Sequence, residues 1–133
     1  AVQEFMRSTV KEAETVGEVR TLLGRRRPIP ELRATNRQTK SLGERLAVNT
    51  VMQGSAADII KVAMISVEGR LRAEGRISKL VLQVHDELLV EAVEAEVHAV
   101  KEILREEMVA AFSLKPSLVV DIGSGVNWAV AKD

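Results

Sequence analysis

Twelve residues, LVLQVHDELLVE from Leu80 to Glu91, constrain the fold more than any other stretch. Two runs rich in Leu and Val flank His85 and Asp86, and runs of that composition read as β-strands. The spacing predicts a hairpin over 79–92. Tight hairpin turns prefer Asn-Gly or Asp-Gly, whose central residues accept positive φ, yet VHDE holds no glycine. One reading is a looser turn in which Asp86 bonds its own backbone. The other is functional. Glu87 follows Asp86 directly, and adjacent carboxylates at a strand end repel unless a cation lies near them. Mg²⁺ takes hard oxygen ligands, usually one or two carboxylates plus substrate phosphates. Successive strand residues point to opposite sides, so Asp86 is the expected direct ligand and Glu87 the peripheral one. His85 is expected to hydrogen-bond rather than to ligate.

Around this hairpin the pattern is helical at both ends. Val2 to Glu14 reads as a helix stopped by Gly17. VRTLL, GRRR and PIPEL read as an extended segment, a basic turn and a second extended segment confined by Pro28 and Pro30 to an edge. Asn36 to Val48 reads as a polar helix, which Gly54 is expected to interrupt. Ser55 would then cap a second helix with Ile60, Met64, Val67 and Leu71 on one face, stopped by Gly75. Val93, Val97, Val100, Leu104, Met108 and Ala111 recur at helical spacing. A last strand is expected over 117–122, followed by GSG and Trp128. The sequence predicts an α+β class, with the hairpin 79–92 and the strand 117–122 in one antiparallel sheet packed on helices. Trp128, the one tryptophan, is expected to anchor the core against the helix from Val93 to Ala111 or against the last strand.

The 133 residues suit one domain. The longest unbroken apolar run, Met108 to Phe112, is far short of a membrane span. No apolar segment follows a basic N-terminus, so no secretory signal is visible. The absence of cysteine excludes disulfides and thiolate metal sites, and suggests a cytoplasmic protein. Ala1 in place of an initiator Met suggests a longer parent. A formal net charge of zero hides an asymmetry. From Arg20 to Arg45 eight Lys/Arg face two Glu, a local +6; from His85 to Glu107 eight Asp/Glu face two Lys/Arg, a local −6. These blocks read either as two solvated faces or as a polyanion-binding region beside an acidic one.

RLAVNTVMQGSAAD sharpens that choice. Arg45, Asn49 and Gln53 recur every four residues and share one helix face, continued backwards by Ser41 and Arg37. Such residues are ordinary on a solvated surface. They also suit duplex DNA, with Arg on phosphate and Asn and Gln donating to minor-groove acceptors. Minor-groove readout is degenerate, so it reports correct pairing without reading sequence, as template copying requires. Arg25, Arg26 and Arg27 in the basic turn are expected to add salt-sensitive phosphate contacts.

Four stretches together, TLLGRRRPIPEL, ERLAVNTVMQGSAADIIKVAM, LVLQVHDELLVE and VDIGSGVNW, carry a resemblance. In their order and separations they resemble the C-terminal part of the palm in bacterial DNA polymerases of family A, over nearly all of residues 1–133. The resemblance implies that Asp86 matches a metal-binding aspartate of the palm, with Glu87 the accessory carboxylate. His85 matches a histidine near the primer terminus, and Gln83 lies on the strand leading to it. Arg45, Asn49 and Gln53 match residues that track the duplex. The implied activity is template-directed nucleotidyl transfer from dNTP to a primer 3′-OH with two Mg²⁺ ions, in DNA replication and repair. Its implied partners are primer–template DNA, dNTP and the remainder of the polymerase chain, in the bacterial cytoplasm and away from membranes. Val51 departs from the family's usual proline. A DYSxIE-like strand carrying the first metal aspartate and a fingers helix that grips the nucleotide are absent, so this chain alone is expected to be inactive. Two alternatives stand beside it: a non-catalytic nucleic-acid-binding module, and a metal-dependent hydrolase needing a further ligand near Asp86.

Overall fold

A computed structural model describes residues 1–131. The elements run α1 (Val2–Val16), β1 (Glu18–Arg20), β2 (Arg26–Pro28), a 3₁₀ turn (Pro30–Arg33), α2 (Arg37–Ala73), β3 (Lys79–Val84), β4 (Glu87–Glu91), a second 3₁₀ turn (Glu94–Glu96), α3 (Val97–Ala110) and the single-turn α4 (Trp128–Ala131). They form two compact units, Ala1–Asp58 and Ile59–Asp133, with α2 running through both. Each unit holds one two-stranded antiparallel sheet, β1–β2 in the first and β3–β4 in the second. The class is α+β.

In the first unit Gly17 ends α1 with φ 86, and its N–H donates to Ala13 O at 2.7 Å. That left-handed stop is the usual role of a glycine after a helix. β1 and β2 then pair from Glu18↔Pro28 to Arg20↔Arg26. Ala13, Val19, Ile29, Leu32 and Ala47 form the core, with Leu46 and Val51 against it. PIPEL departs from the second extended segment expected of it. β2 ends at Pro28 and the rest tightens into the 3₁₀ turn, because proline lacks the N–H that a longer ladder needs.

Asn36 starts α2, its Oδ1 accepting from the N–H groups of Gln38 at 2.8 Å and Thr39 at 3.3 Å. This is side-chain capping of otherwise orphaned donors. At the far end Gly75 has φ 64, its N–H reaches Arg72 O, and Arg76 N–H reaches Leu71 O, the paired bonds of a Schellman stop. The break expected at Gly54 does not occur: α2 continues through it for 37 residues. Glycine costs a helix about 1 kcal/mol relative to alanine, but packing decides here. A Cβ on Gly54 would lie 2.7 Å from Thr21 Cγ2, so the glycine admits a close neighbour rather than marking an end. Ser55 caps nothing; its Oγ accepts from Leu22 N–H at 3.0 Å. By length and mean hydropathy α2 could cross a bilayer. In this fold it supplies Ala47 to one core and Val67 and Leu71 to the other.

In the second unit Val67, Leu71, Val100 and Ile103 form the core, with Leu88, Val90, Leu104 and Met108 packed against it. Truncating a fully buried Leu71 or Ile103 to alanine would cost about 2–5 kcal/mol. Ser78 and Glu96 tie the start of β3 to the 3₁₀ turn before α3. Glu96 Oε2 accepts from Ser78 N–H at 3.0 Å and from its hydroxyl at 2.5 Å, and these bonds, the hydroxyl first, hold the Glu96 carboxyl below its ordinary range. α3 starts at Val97 rather than Val93 because Glu94–Glu96 make the 3₁₀ turn.

Two further expectations fail. Residues 117–122 are not a strand, since they pair with no other segment among the described residues, and Val119 is 86% exposed. A strand exists only through its partner. Trp128 is no core anchor: it is 41% exposed and belongs to neither core cluster. GSG does permit a close approach, because a Cβ on Gly123 would overlap Ala131 O. The surface covered there is backbone rather than a tryptophan pocket.

Candidate functional site

In the second unit the hairpin tip answers the puzzle of the missing glycine. Val84 pairs with Glu87, so His85 and Asp86 alone make the turn. His85 has φ 54, the one non-glycine residue with positive φ among those described. Positive φ at the first central position, and not at the second, is the φ pattern of a type II′ turn, where glycine is the usual occupant. Left-handed backbone costs a residue with a Cβ about 1–2 kcal/mol. Gln83 steadies the arrangement, its Nε2 donating to His85 O. His85 and Asp86 are exposed, whereas Gln83 and Glu87 are half-buried. The tight turn thus replaces the looser one, and Asp86 projects into solvent at its apex.

Further along, the register slips between Leu80↔Val90 and Leu82↔Leu89, making a β-bulge at Val81. Bulges add twist and re-aim the residues beyond them. The bulge explains why Val81 and Leu82 are both exposed although they are neighbours. Alternation in the sequence would have placed them on opposite faces, and no residue type announced the slip.

As a metal centre the tip is one arm only. Asp86 and Glu87 stand together, but no group of three His, Cys, Asp or Glu side chains suited to a metal occurs among the described residues. Two carboxylates suffice for Mg²⁺ when phosphates and water complete its shell. The donor set therefore fits a Mg²⁺ ion shared with a phosphorylated substrate, with Asp86 as the freely presented ligand.

In the first unit Arg45, Asn49 and Gln53 all lie exposed on α2, so the helix presents the expected ridge of one cation and two amides. The three arginines of the basic turn are committed within the protein. Arg25 Nη2 pairs with Asp58 Oδ1 at 2.9 Å and donates to Gly54 O at 3.0 Å. Arg26 Nε donates to both carboxylate oxygens of Glu18 at 2.9 Å, and this contact first of all lowers the Glu18 pKa. Arg27 Nη1 donates to Thr50 Oγ1 at 2.9 Å, leaving its charge uncompensated by any carboxylate among the described residues. The sequence reading passed over Asp58. Its signal was an acid at the end of QGSAAD, the one carboxylate between Glu44 and Glu68 on α2.

Comparison with known proteins gives these features a context. The family model for DNA polymerase family A matches residues 1–130. DNA polymerase I of Caldicellulosiruptor bescii is 47% identical over 131 residues, covering 98% of this chain and 15% of that protein. DNA polymerase I of Bacillus subtilis is 45% identical over 131 residues, again 98% and 15%. A solved structure, the POL domain of Pol1 from M. smegmatis in complex with DNA primer-template and dNTP, aligns with a TM-score of 0.96 at 45% identity. It covers 99% of this chain and 23% of that one. The chain spans about 15% of the length of these curated relatives.

Proposed function

This chain belongs to DNA polymerase family A, and from that membership we propose that it supplies part of the palm of a DNA-directed DNA polymerase. The substrates are primer–template DNA and dNTP, and the reaction joins the primer 3′-oxygen to the α-phosphorus with release of pyrophosphate. The observation that carries this reading is the match, across 99% of the chain, to a polymerase domain in complex with primer-template and dNTP. Asp86 at the hairpin apex would hold Mg²⁺, with Glu87 peripheral. When bound, a pair of such ions stabilises charge on the attacking and leaving oxygens. The remaining work falls to protein groups. His85 and Gln83 fix the apex so that Asp86 is presented rigidly, and preorganised groups cost no reorganisation during the reaction. Arg45 would contact duplex phosphate, with Asn49 and Gln53 on minor-groove acceptors and Arg27 as a further phosphate contact.

The test is primer extension with Mg²⁺. The isolated chain should not extend a primer, because one arm of carboxylates cannot position two ions. Supplying the rest of a family A polymerase, in cis or in trans, should restore extension. Asp86→Ala in that protein should then lose about a hundred- to thousandfold in kcat, and Glu87→Ala markedly less. Extension by the isolated chain that Asp86→Ala abolishes would overturn the assignment of a half site. Full activity of Asp86→Ala in the complete enzyme would overturn the role of Asp86.

A further inference from the structure

Behind the exposed ridge of α2, the β1–β2 hairpin grips the helix at four points. Arg27 reaches Thr50 Oγ1 at 2.9 Å, Arg25 reaches Gly54 O at 3.0 Å and Asp58 Oδ1 at 2.9 Å, and Leu22 N–H reaches Ser55 Oγ at 3.0 Å. Thr21 holds the loop in shape, its hydroxyl accepting from Arg25 N–H at 3.1 Å, while its methyl sits over Gly54. At 100° per residue the gripped positions 50, 54, 55 and 58 centre about 165° around the helix from 45, 49 and 53. The grip and the ridge are on opposite sides of one helix.

The chemistry of the grip is not that of simple stabilisation. Asp58 is a buried carboxylate, its side chain 6% exposed, and its Oδ2 has no hydrogen-bond partner. The neighbouring Thr21 hydroxyl, ahead of the Arg25 guanidinium, holds the Asp58 carboxyl below its ordinary range against the opposing effect of burial. Its geometry nevertheless falls short of a hydrogen bond to Oδ2. With Asp58 buried but the Arg25 side chain 51% exposed, the pair is weak support for stability, because desolvating the carboxylate offsets much of an attraction that solvent also screens. What such a pair does enforce is one geometry. A carbonyl, two hydroxyls and a carboxylate, each taken by a directed donor, leave the helix one rotational setting against the hairpin.

We propose that Arg25, Asp58 and Ser55 are positioning residues for the α2 ridge: they fix the rotation of α2 about its own axis and thereby aim Arg45, Asn49 and Gln53 at duplex DNA. This rests on the reading that the ridge contacts DNA. Rotating the helix by a fraction of a turn would carry Asn49 and Gln53 away from acceptors that demand directed donors. Arg45, which seeks a diffuse phosphate charge, would tolerate more rotation. The grip therefore matters most for the two amides.

The experiment uses a complete family A polymerase carrying this segment, with Arg25→Met/Asp58→Leu as an apolar replacement of the pair. Primer–template affinity, kcat and KM for DNA, and thermal unfolding are measured alone and in a Gln53→Ala/Asn49→Ala background. Affinity should fall about tenfold, with a smaller change in kcat, and the loss should shrink to about twofold or less once the amides are gone. A loss that stays the same in that background would overturn the proposal, since the pair would then act independently of the ridge. So would unchanged affinity when Gln53→Ala/Asn49→Ala alone weakens binding. Should Gln53→Ala/Asn49→Ala and Arg45→Ala all leave binding intact, the ridge reading fails and takes this inference with it. If the double replacement does not fold, Ser55→Ala, which removes only the bond to Leu22 N–H, goes through the same cycle under the same criteria.

Discussion

His85 keeps a left-handed φ of 54 at a position where glycine would sit without strain. Replacing it tests whether the strain is stored for a purpose. His85→Gly removes a cost of about 1–2 kcal/mol but adds back about 0.5–1 kcal/mol of backbone entropy. The expected net effect is a gain of between zero and about 1.5 kcal/mol, read from denaturation midpoints. His85→Val should lose stability instead, because β-branched residues are genuine outliers at positive φ. A destabilised His85→Gly would mean that the imidazole makes contacts worth more than the strain. Strained residues cluster at functional sites when the surroundings over-determine them, and here the bond from Gln83 and the Val84↔Glu87 pair supply that constraint.

Two glycines of α2 make the same substitution give opposite signs. Gly69 is exposed, and nothing lies within 4 Å of a Cβ there, so Gly69→Ala should gain about 1 kcal/mol from helix propensity. Gly54→Ala has the same propensity gain but meets Thr21 Cγ2 at 2.7 Å. Thr21 is buried and its hydroxyl holds Arg25 N–H, so it cannot swing aside freely. Overpacking of this kind costs about 1–3 kcal/mol, and the net should be a loss that Thr21→Ser restores. Thermal or chemical unfolding of the three variants decides it; equal gains at Gly54 and Gly69 would remove Thr21 from the account. This pair also shows where the sequence was legible. Caps are local, so Gly17 and Gly75 were readable as stops, and the hairpin 79–92 followed from its own composition. The role of Gly54 depends on Thr21, thirty-three positions away, as does that of Ser55 on Leu22, and no local pattern carries such partners. The ridge Arg45, Asn49 and Gln53 was readable because it is periodic; the grip behind it was not. The bulge at Val81 and the unpaired course of 117–122 were hidden for the same reason, since each depends on what lies beside the strand.

Part of the charge, including half of the basic block, is neutralised by ion pairs within the protein rather than displayed. Arg20 and Arg26 pair with Glu18, Arg25 with Asp58, Lys40 with Glu14, Arg70 with Glu74, Glu106 and Glu107, and Arg72 with Glu68. In the basic block this leaves Arg27, Arg33, Arg37 and Arg45 without an ion pair among the described residues. Duplex DNA bound by the isolated chain should therefore release few counterions. The expected slope of log affinity against log salt is between about −2 and −4, whatever the sequence, measurable by fluorescence anisotropy. A slope steeper than about −6 would mean that the internal pairs open on binding. The β3–β4 ribbon has a different consequence. Only two strands compose it among the described residues, so both outer rows of backbone N–H and C=O groups face outward, beside exposed Val81 and Leu82. A bare edge of this kind is a template on which any other strand can add. The charged ends at Lys79 and Glu91 and the bulge at Val81 are the features that discourage such growth. Held apart from a larger protein, the segment would owe its colloidal behaviour to those three residues more than to either core.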